Sequence, residues 1–201
     1  VVLHTGDFKI DKDPILESAI DYKELIKAIG GRPSLCVVDS TNMLNKNKGK
    51  SESLLTEPIT KIIKGSKGRV IFTSFASNIG RLKIIAEAGE KSGRSIAVFG
   101  RAMNNMLSKA IETGILTDFP TLIDPRKAYM VPRENLLVIA TGSQGEIRAA
   151  SAQLSRSKYM GLEIEDGDTF VFSSKTIPGN EISVNRVINN LSDKGVEVKY
   201  S

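Results

Sequence analysis

Four short polar stretches hold most of the side chains in this sequence that could do chemistry. They are Asp39-Ser40-Thr41-Asn42, Thr73-Ser74-Phe75-Ala76-Ser77-Asn78, Thr141-Gly142-Ser143-Gln144-Gly145-Glu146 and Ser173-Ser174-Lys175-Thr176-Ile177-Pro178-Gly179-Asn180-Glu181. Each follows an apolar, β-favouring run: Leu35 to Val38, Val70 to Phe72, Leu136 to Ala140, and Phe170 to Phe172. A strand that ends in hydroxyls, amides and glycines and then enters a helix offers backbone N–H groups at a helix start, where the helix dipole favours an anion. Phosphate is the natural ligand for such turns. Lys175 adds a cation to the last of them.

More specialised chemistry is poorly supported. A phosphate-wrapping Gly-x-x-x-x-Gly-Lys-Ser loop would need glycine where Leu44 precedes Gly49-Lys50-Ser51. Gly142-Ser143-Gln144-Gly145 lacks the glycine spacing that brings backbone against a dinucleotide pyrophosphate. Ser173 or Ser174 as a hydrolase nucleophile needs a base in reach, and the one histidine, His4, follows a different strand. A zinc ion needs three or four ligands, and one histidine with no usable cysteine cannot supply them, so metal chemistry would have to draw on residues outside this chain. His4 and Asp7 therefore read first as residues that hydrogen-bond a turn through Gly6.

The elements that must position these turns alternate. A short strand near Val1, a helix over Asp21 to Ile29 closed by Gly30-Gly31, and a junction at Arg32-Pro33 come first. From Ser34 onward strands and helices alternate: helices near Pro58 to Lys64, Asn78 to Lys91, Arg101 to Gly114 and Ile147 to Arg156, and a last helix with Val184, Val187, Ile188 and Leu191 on one face. Pro58 fits the first helical position. Met103, Met106, Leu107, Ala110 and Ile111 form a stripe read as core. Residues 115–134 carry three prolines and read as a long connection. Final strands at Phe170 and at Val196 to Tyr200 complete a three-layer α/β domain, a mostly parallel sheet with helices on both faces and its ligands at the strands' carboxyl ends.

The 201 residues are 40% hydrophobic and 25% charged, ordinary for a soluble domain. The net charge of +5 favours a polyanion weakly, and Lys46, Lys48, Lys50, Lys61, Lys64, Lys67 and Arg69 cluster, although on pattern alone a solvated loop and helix face is the better explanation. No apolar run is long enough to cross a membrane. Cys36, the one cysteine, reads as a small buried side chain and favours a reducing compartment. The opening Val1-Val2-Leu3 and closing Val196 to Ser201 both read as strands, as if cut from a longer protein.

Taken together with His4-Thr5-Gly6-Asp7-Phe8-Lys9-Ile10-Asp11, the four turns, in this order, resemble the ribonuclease J family: zinc-dependent nucleases of the metallo-β-lactamase fold with an inserted β-CASP domain. The resemblance implies that residues 1–33 are a remnant of the metal-binding domain and 34–201 the β-CASP domain. It implies catalytic roles for Asp7, as a ligand of two zinc ions in the full-length protein, and for Asp39, at a strand end near the cleft. Ser74, Ser77, Asn78, Arg81, Thr141, Gly142, Ser143, Gln144, Ser173, Ser174 and Lys175 would lie along the RNA. The family's activity is RNA degradation and maturation, by internal cuts and by 5′-to-3′ exonuclease action, in the cytoplasm, with RNA as partner, no membrane, and a homo-oligomer open to the longer protein. The His-x-His-x-Asp-His motif is expected upstream of Val1 and further histidines downstream of Ser201, so this piece alone is expected to be inactive and to hold no zinc. Ile147 replaces the family's usual proline. A pseudo-enzyme relative, a stand-alone module binding a nucleotide or sugar phosphate, and a structural spacer remain the alternatives.

Overall fold

The computed structural model describes residues 1–41, 43–44 and 49–200. They form two compact units, Val1–Leu54 and Leu55–Ser201.

In the first unit β1 (Val2–His4) pairs in parallel with β2 (Leu35–Val37), placing His4 opposite Val37. Between them lies α1 (Tyr22–Ala28), whose N-cap Asp21 accepts from the N–H groups of Lys23 and Glu24. Asp21, predicted to open this helix, caps it instead. A two-stranded sheet buries little, and none of this unit's described side chains is buried. Cys36, expected inside a core, is exposed for that reason. The strand at Leu35 was expected to open the larger sheet. It joins β1 instead, in the unit that ends at Leu54.

The second unit is a six-stranded sheet, every pair parallel. Its strands are β3 (Val70–Thr73), β4 (Ser95–Phe99), β5 (Leu122–Ile123), β6 (Leu136–Ala140), β7 (Thr169–Phe172) and β8 (Glu197–Tyr200), in the spatial order β5-β4-β6-β3-β7-β8. The helices are α2 (Thr56–Gly65), α3 (Ile79–Lys91), α4 (Arg101–Glu112), α5 (Ala150–Arg156) and α6 (Glu181–Ser192). Strands buried on both faces read as continuous apolar runs, and β3, β6 and β7 are buried at every position. Alternate residues serve opposite faces. Ile71, Val138, Ala140, Phe170 and Phe172 pack with Ala150 and Leu154 of α5 and Val184, Val187 and Leu191 of α6. On the opposite face α3 closes on Leu137 and Ile96, with Gly89 leaving no room there for a Cβ: one would lie 2.3 Å from Leu137 Cδ2.

The chain leaves β3 toward β4 and β5, returns to β6 beside β3, and then proceeds outward through β7 and β8. The connections leaving the neighbours β3 and β7 therefore run in opposite directions, a topological switch point, where ligands of such sheets bind beyond the carboxyl ends.

The far end of the sheet is tied by buried charge. Asp168, fully buried, accepts from the Arg69 N–H at 2.8 Å and from the guanidinium groups of Arg69 and Arg133. Arg94, whose pKa burial lowers, donates to the carbonyls of Gly68, Leu136, Ile63 and Ser66.

Differences from the sequence reading are local. Pro58 is the third residue of α2, still in the first turn where a missing N–H breaks no helical bond. Met106 and Ile111 are exposed, so only Met103, Leu107 and Ala110 of that stripe face the core. Helix α5 begins at Ala150, beyond Ile147.

Candidate nucleic-acid interface

Register sets the site. Thr73 of β3 stands opposite Ala140 of β6 and Phe172 of β7, so the three central strands end at one level and their turns lie side by side.

The β7 turn presents the most unused donors. Ser173 N–H bonds Thr73 O, Ile177 N–H bonds the Gln144 side-chain oxygen, and Gly179 N–H bonds Glu181 Oε2. Among the described residues the N–H groups of Ser174, Lys175 and Thr176 donate to nothing. Backbone amides without an acceptor beside an exposed lysine are donors available to an anion. These amides lie ahead of α6, whose N-cap Asn180 makes no side-chain cap hydrogen bond, while Glu181 accepts from Gly179 N–H just before the helix. Ser74 Oγ and Ser174 Oγ are buried without a hydrogen-bond partner, and such groups call for a missing partner.

Several residues read from sequence as RNA contacts hold the turns instead. Gln144, 6% exposed, donates to Lys175 O at 3.0 Å and accepts from Ile177 N–H at 2.7 Å and Asn180 Nδ2 at 3.3 Å. It ties the β6 turn to the β7 turn past the end of β3. Arg81 of α3 donates to Ser173 O at 2.6 Å and Ser173 Oγ at 2.8 Å. Asn78 accepts from Arg81 N–H as the α3 cap. Thr141 Oγ1 accepts from Ala150 N–H, and Gly142 O from Ser151 Oγ. Ser143 is buried, Ser77 exposed. Glu146 braces its own turn by accepting from Gln144 N–H, whereas the bracing role of Asn180 has no local signal in sequence, because its partner Gln144 is brought to it by the sheet.

In the first unit the Asp7 and Asp39 turns meet at the carboxyl end of the two-stranded sheet: Asp39 N–H donates to Thr5 Oγ1 at 3.2 Å. Thr41 donates its hydroxyl to Asp39 Oδ1 at 2.5 Å and its N–H at 2.9 Å, which holds the Asp39 carboxyl below its ordinary range. His4 Nδ1 accepts from Gly6 N–H at 3.1 Å, the turn-bracing role its sequence suggested. Asp7 has no hydrogen bond or ion pair among the described residues. The Asp39 turn, expected on the same sheet edge as the others, belongs to the smaller sheet. Asn42, Lys46 and Lys48 lie outside the described residues; Lys50 is exposed.

Among the described residues no three His, Cys, Asp or Glu side chains converge as metal ligands. The donors present do not fit a zinc pair by themselves. No helix among them is long and apolar enough to cross a membrane.

Fold and site define a parallel three-layer α/β domain with polar, amide- and hydroxyl-rich turns at its strand ends. A family model described as the β-CASP domain of ribonuclease J matches residues 67–191. Over 198 residues the chain is 39% identical to the ribonuclease J of Sinorhizobium meliloti, covering 98% of this chain and 35% of that protein. It is 42% identical over 199 residues to ribonuclease J 1 of Streptococcus pyogenes, with 98% and 35% covered, and 35% identical over 199 residues to the Thermus thermophilus ribonuclease J, with 99% and 35% covered. The chain belongs to the ribonuclease J family, and it spans about a third of the length of these relatives.

Proposed function

We propose that this chain is the RNA-holding portion of a cytoplasmic ribonuclease that degrades and matures RNA, both by internal cuts and from the 5′ end. One observation carries the reading: three parallel strands of a β-CASP domain end in register, and the amides of Ser174, Lys175 and Thr176 beyond them have no acceptor among the described residues. In this reading residues of the first unit are part of a metal-binding domain whose two zinc ions, supplied mainly by residues outside this chain, activate water for phosphodiester hydrolysis. Asp7 is one ligand there, and Asp39, held ionised by Thr41, stands at the cleft. The chain's own contribution is to hold the backbone: the amides and Lys175 take the phosphates, while Gln144 and Arg81 fix the turn that bears them.

Salt dependence tests this. Affinity of the full-length protein for a single-stranded RNA should fall steeply with salt, and Lys175→Gln should reduce the slope of log K against log salt by about 0.7, one phosphate contact. A saturable nucleotide site nearly insensitive to salt would support the free-standing binding module instead.

A further inference from the structure

Beyond the carboxyl ends of β7 and β8 lies a hollow of about 270 Å³, lined by Phe172, Ser174, Thr176, Val184, Asn185, Ile188 and Tyr200. Its floor is apolar: Phe172 and Val184 are 3% and 5% exposed, and Ile188 packs against the same core. Ser174, Thr176, Asn185 and Tyr200 bring hydrogen-bonding groups to its wall. None of these four side chains makes a hydrogen bond among the described residues. Ser174 Oγ is cut off from solvent as well. The polar groups open to a ligand are therefore those of Thr176, Asn185 and Tyr200.

The lining also selects the ligand. No charged side chain takes part, so the hollow itself offers nothing to neutralise a phosphate. A flat, neutral, edge-polar group fits: an aromatic ring at Tyr200, an amide at Asn185 that both donates and accepts, and a hydroxyl at Thr176. The volume is below the roughly 300–1,000 Å³ of pockets for drug-sized ligands and suits one ring system. Single-stranded RNA is read in this manner, by unstacked bases placed on aromatic side chains and hydrogen-bonded along their edges. The cradle of free amides at Ser174, Lys175 and Thr176 adjoins the hollow through Ser174 and Thr176, which belong to both.

We propose that the hollow receives one unstacked base of the RNA strand whose phosphate rests on the Ser174 to Thr176 amides. The proposal deepens, and rests on, the reading of this edge as the RNA interface. It makes the hollow a registering site, fixing which nucleotide sits at the β7 turn.

The test measures equilibrium affinity of the full-length protein, with EDTA present, for 5′-monophosphorylated ten-nucleotide RNAs made abasic at one position at a time. One position should cost about tenfold in affinity, the size expected for one stacked base, and the others less than twofold. That single penalty should vanish in Asn185→Leu and in Thr176→Val, two exposed positions whose folding is checked by circular dichroism, while the salt slope is kept. Equal penalties at all positions, none at any, or a penalty that persists in both variants would overturn the hollow while leaving backbone binding intact. A nucleoside monophosphate that competes with the affinity of the whole strand would overturn it too, in favour of a mononucleotide site. Failure to bind RNA at all would remove the interface reading and the hollow with it.

Discussion

The side-chain oxygen of Gln144 accepts a hydrogen bond from the backbone N–H of Ile177 at 2.7 Å, while its amide nitrogen donates to the carbonyl of Lys175 at 3.0 Å. One nearly buried side chain therefore satisfies two backbone groups of a neighbouring turn that has no regular structure of its own. The pairing fixes the stretch that carries the free amides, because Lys175 and Ile177 bracket Thr176.

Removing that side chain should loosen the cradle more than it weakens the fold. Gln144→Ala leaves two backbone groups to find water, a cost of about 1–3 kcal/mol. That is a fall in Tm of about 2–4 °C for each kcal/mol in a chain of this size. RNA affinity of the full-length protein should fall by more than the Tm change explains, since most of the domain remains folded at the assay temperature. Gln144→Glu keeps the acceptor and loses the donor, so it should lie between. Equal RNA affinity for Gln144→Ala and the parent would show that the bridge is structural only.

Two glycines in these turns should respond very differently to one added methyl. Gly145 has φ +72°, and a Cβ there would stand 2.3 Å from the backbone carbon of Ser183 and 2.4 Å from its oxygen, in the first turn of α6. Gly179 has φ +98°, and a Cβ there meets nothing within 4 Å. Both alanines carry the left-handed penalty of roughly 1–2 kcal/mol, but only Gly145→Ala must also push a helix away. Urea denaturation should show Gly145→Ala destabilised beyond Gly179→Ala by more than about 1 kcal/mol. Equal midpoints would mean that α6 yields without cost.

How much of this was legible beforehand depends on the range of the interaction. The strands at Val70, Ser95, Leu136 and Thr169 follow from uninterrupted apolar runs, and Asn78, Gly100 and Gly114 bound their helices through local backbone chemistry. Parallel pairing follows from the alternation itself. Strand order does not, since no local feature of β6 says that it inserts between β4 and β3. The partner of β2 was misjudged because a short apolar run fits either sheet. The site was half legible. Hydroxyl- and amide-rich turns marked the right edge, but composition cannot distinguish Lys175, which faces outward, from Gln144 and Thr141, whose polar atoms are occupied by backbone many residues away.

Acid should expose the charge network at the opposite end of the sheet. The Glu165 carboxyl is held below its ordinary value of 4.5 chiefly by the hydrogen bond from Arg69 at 2.9 Å, with burial opposing and the charges of Arg133 and Arg69 adding. A lowered folded-state pKa means that the unfolded chain takes up its proton first as pH falls. The contribution is therefore complete above about pH 4.5 and lost as pH drops through the folded-state value. Its side chain is 53% exposed, so solvent screening keeps the effect small. Thermal melts from pH 7 to pH 3 should fall more steeply for the parent than for Glu165→Gln, with the two curves converging in acid. Parallel curves would assign the acid sensitivity to other carboxylates.

The 201 residues prepared as a separate polypeptide are expected to leave 5′-monophosphorylated RNA intact when Zn²⁺ or Mn²⁺ is added. Hydrolysis through a metal pair needs several ligands for each ion and a bound water whose proton the metals loosen. The chain has one histidine, and its Nδ1 already accepts from Gly6 N–H. Asp39 has Thr41 on one oxygen, and Asp7, which has no partner among the described residues, is a single carboxylate. No other His, Cys, Asp or Glu among the described residues joins them as a third ligand. The assay sets this polypeptide beside the full-length protein and beside Asp7→Ala, with product lengths resolved on a gel. Cleavage by the separate polypeptide that is lost in Asp7→Ala would mean that it builds a metal site from its own residues, alone or between copies, and the division of labour proposed above would be wrong.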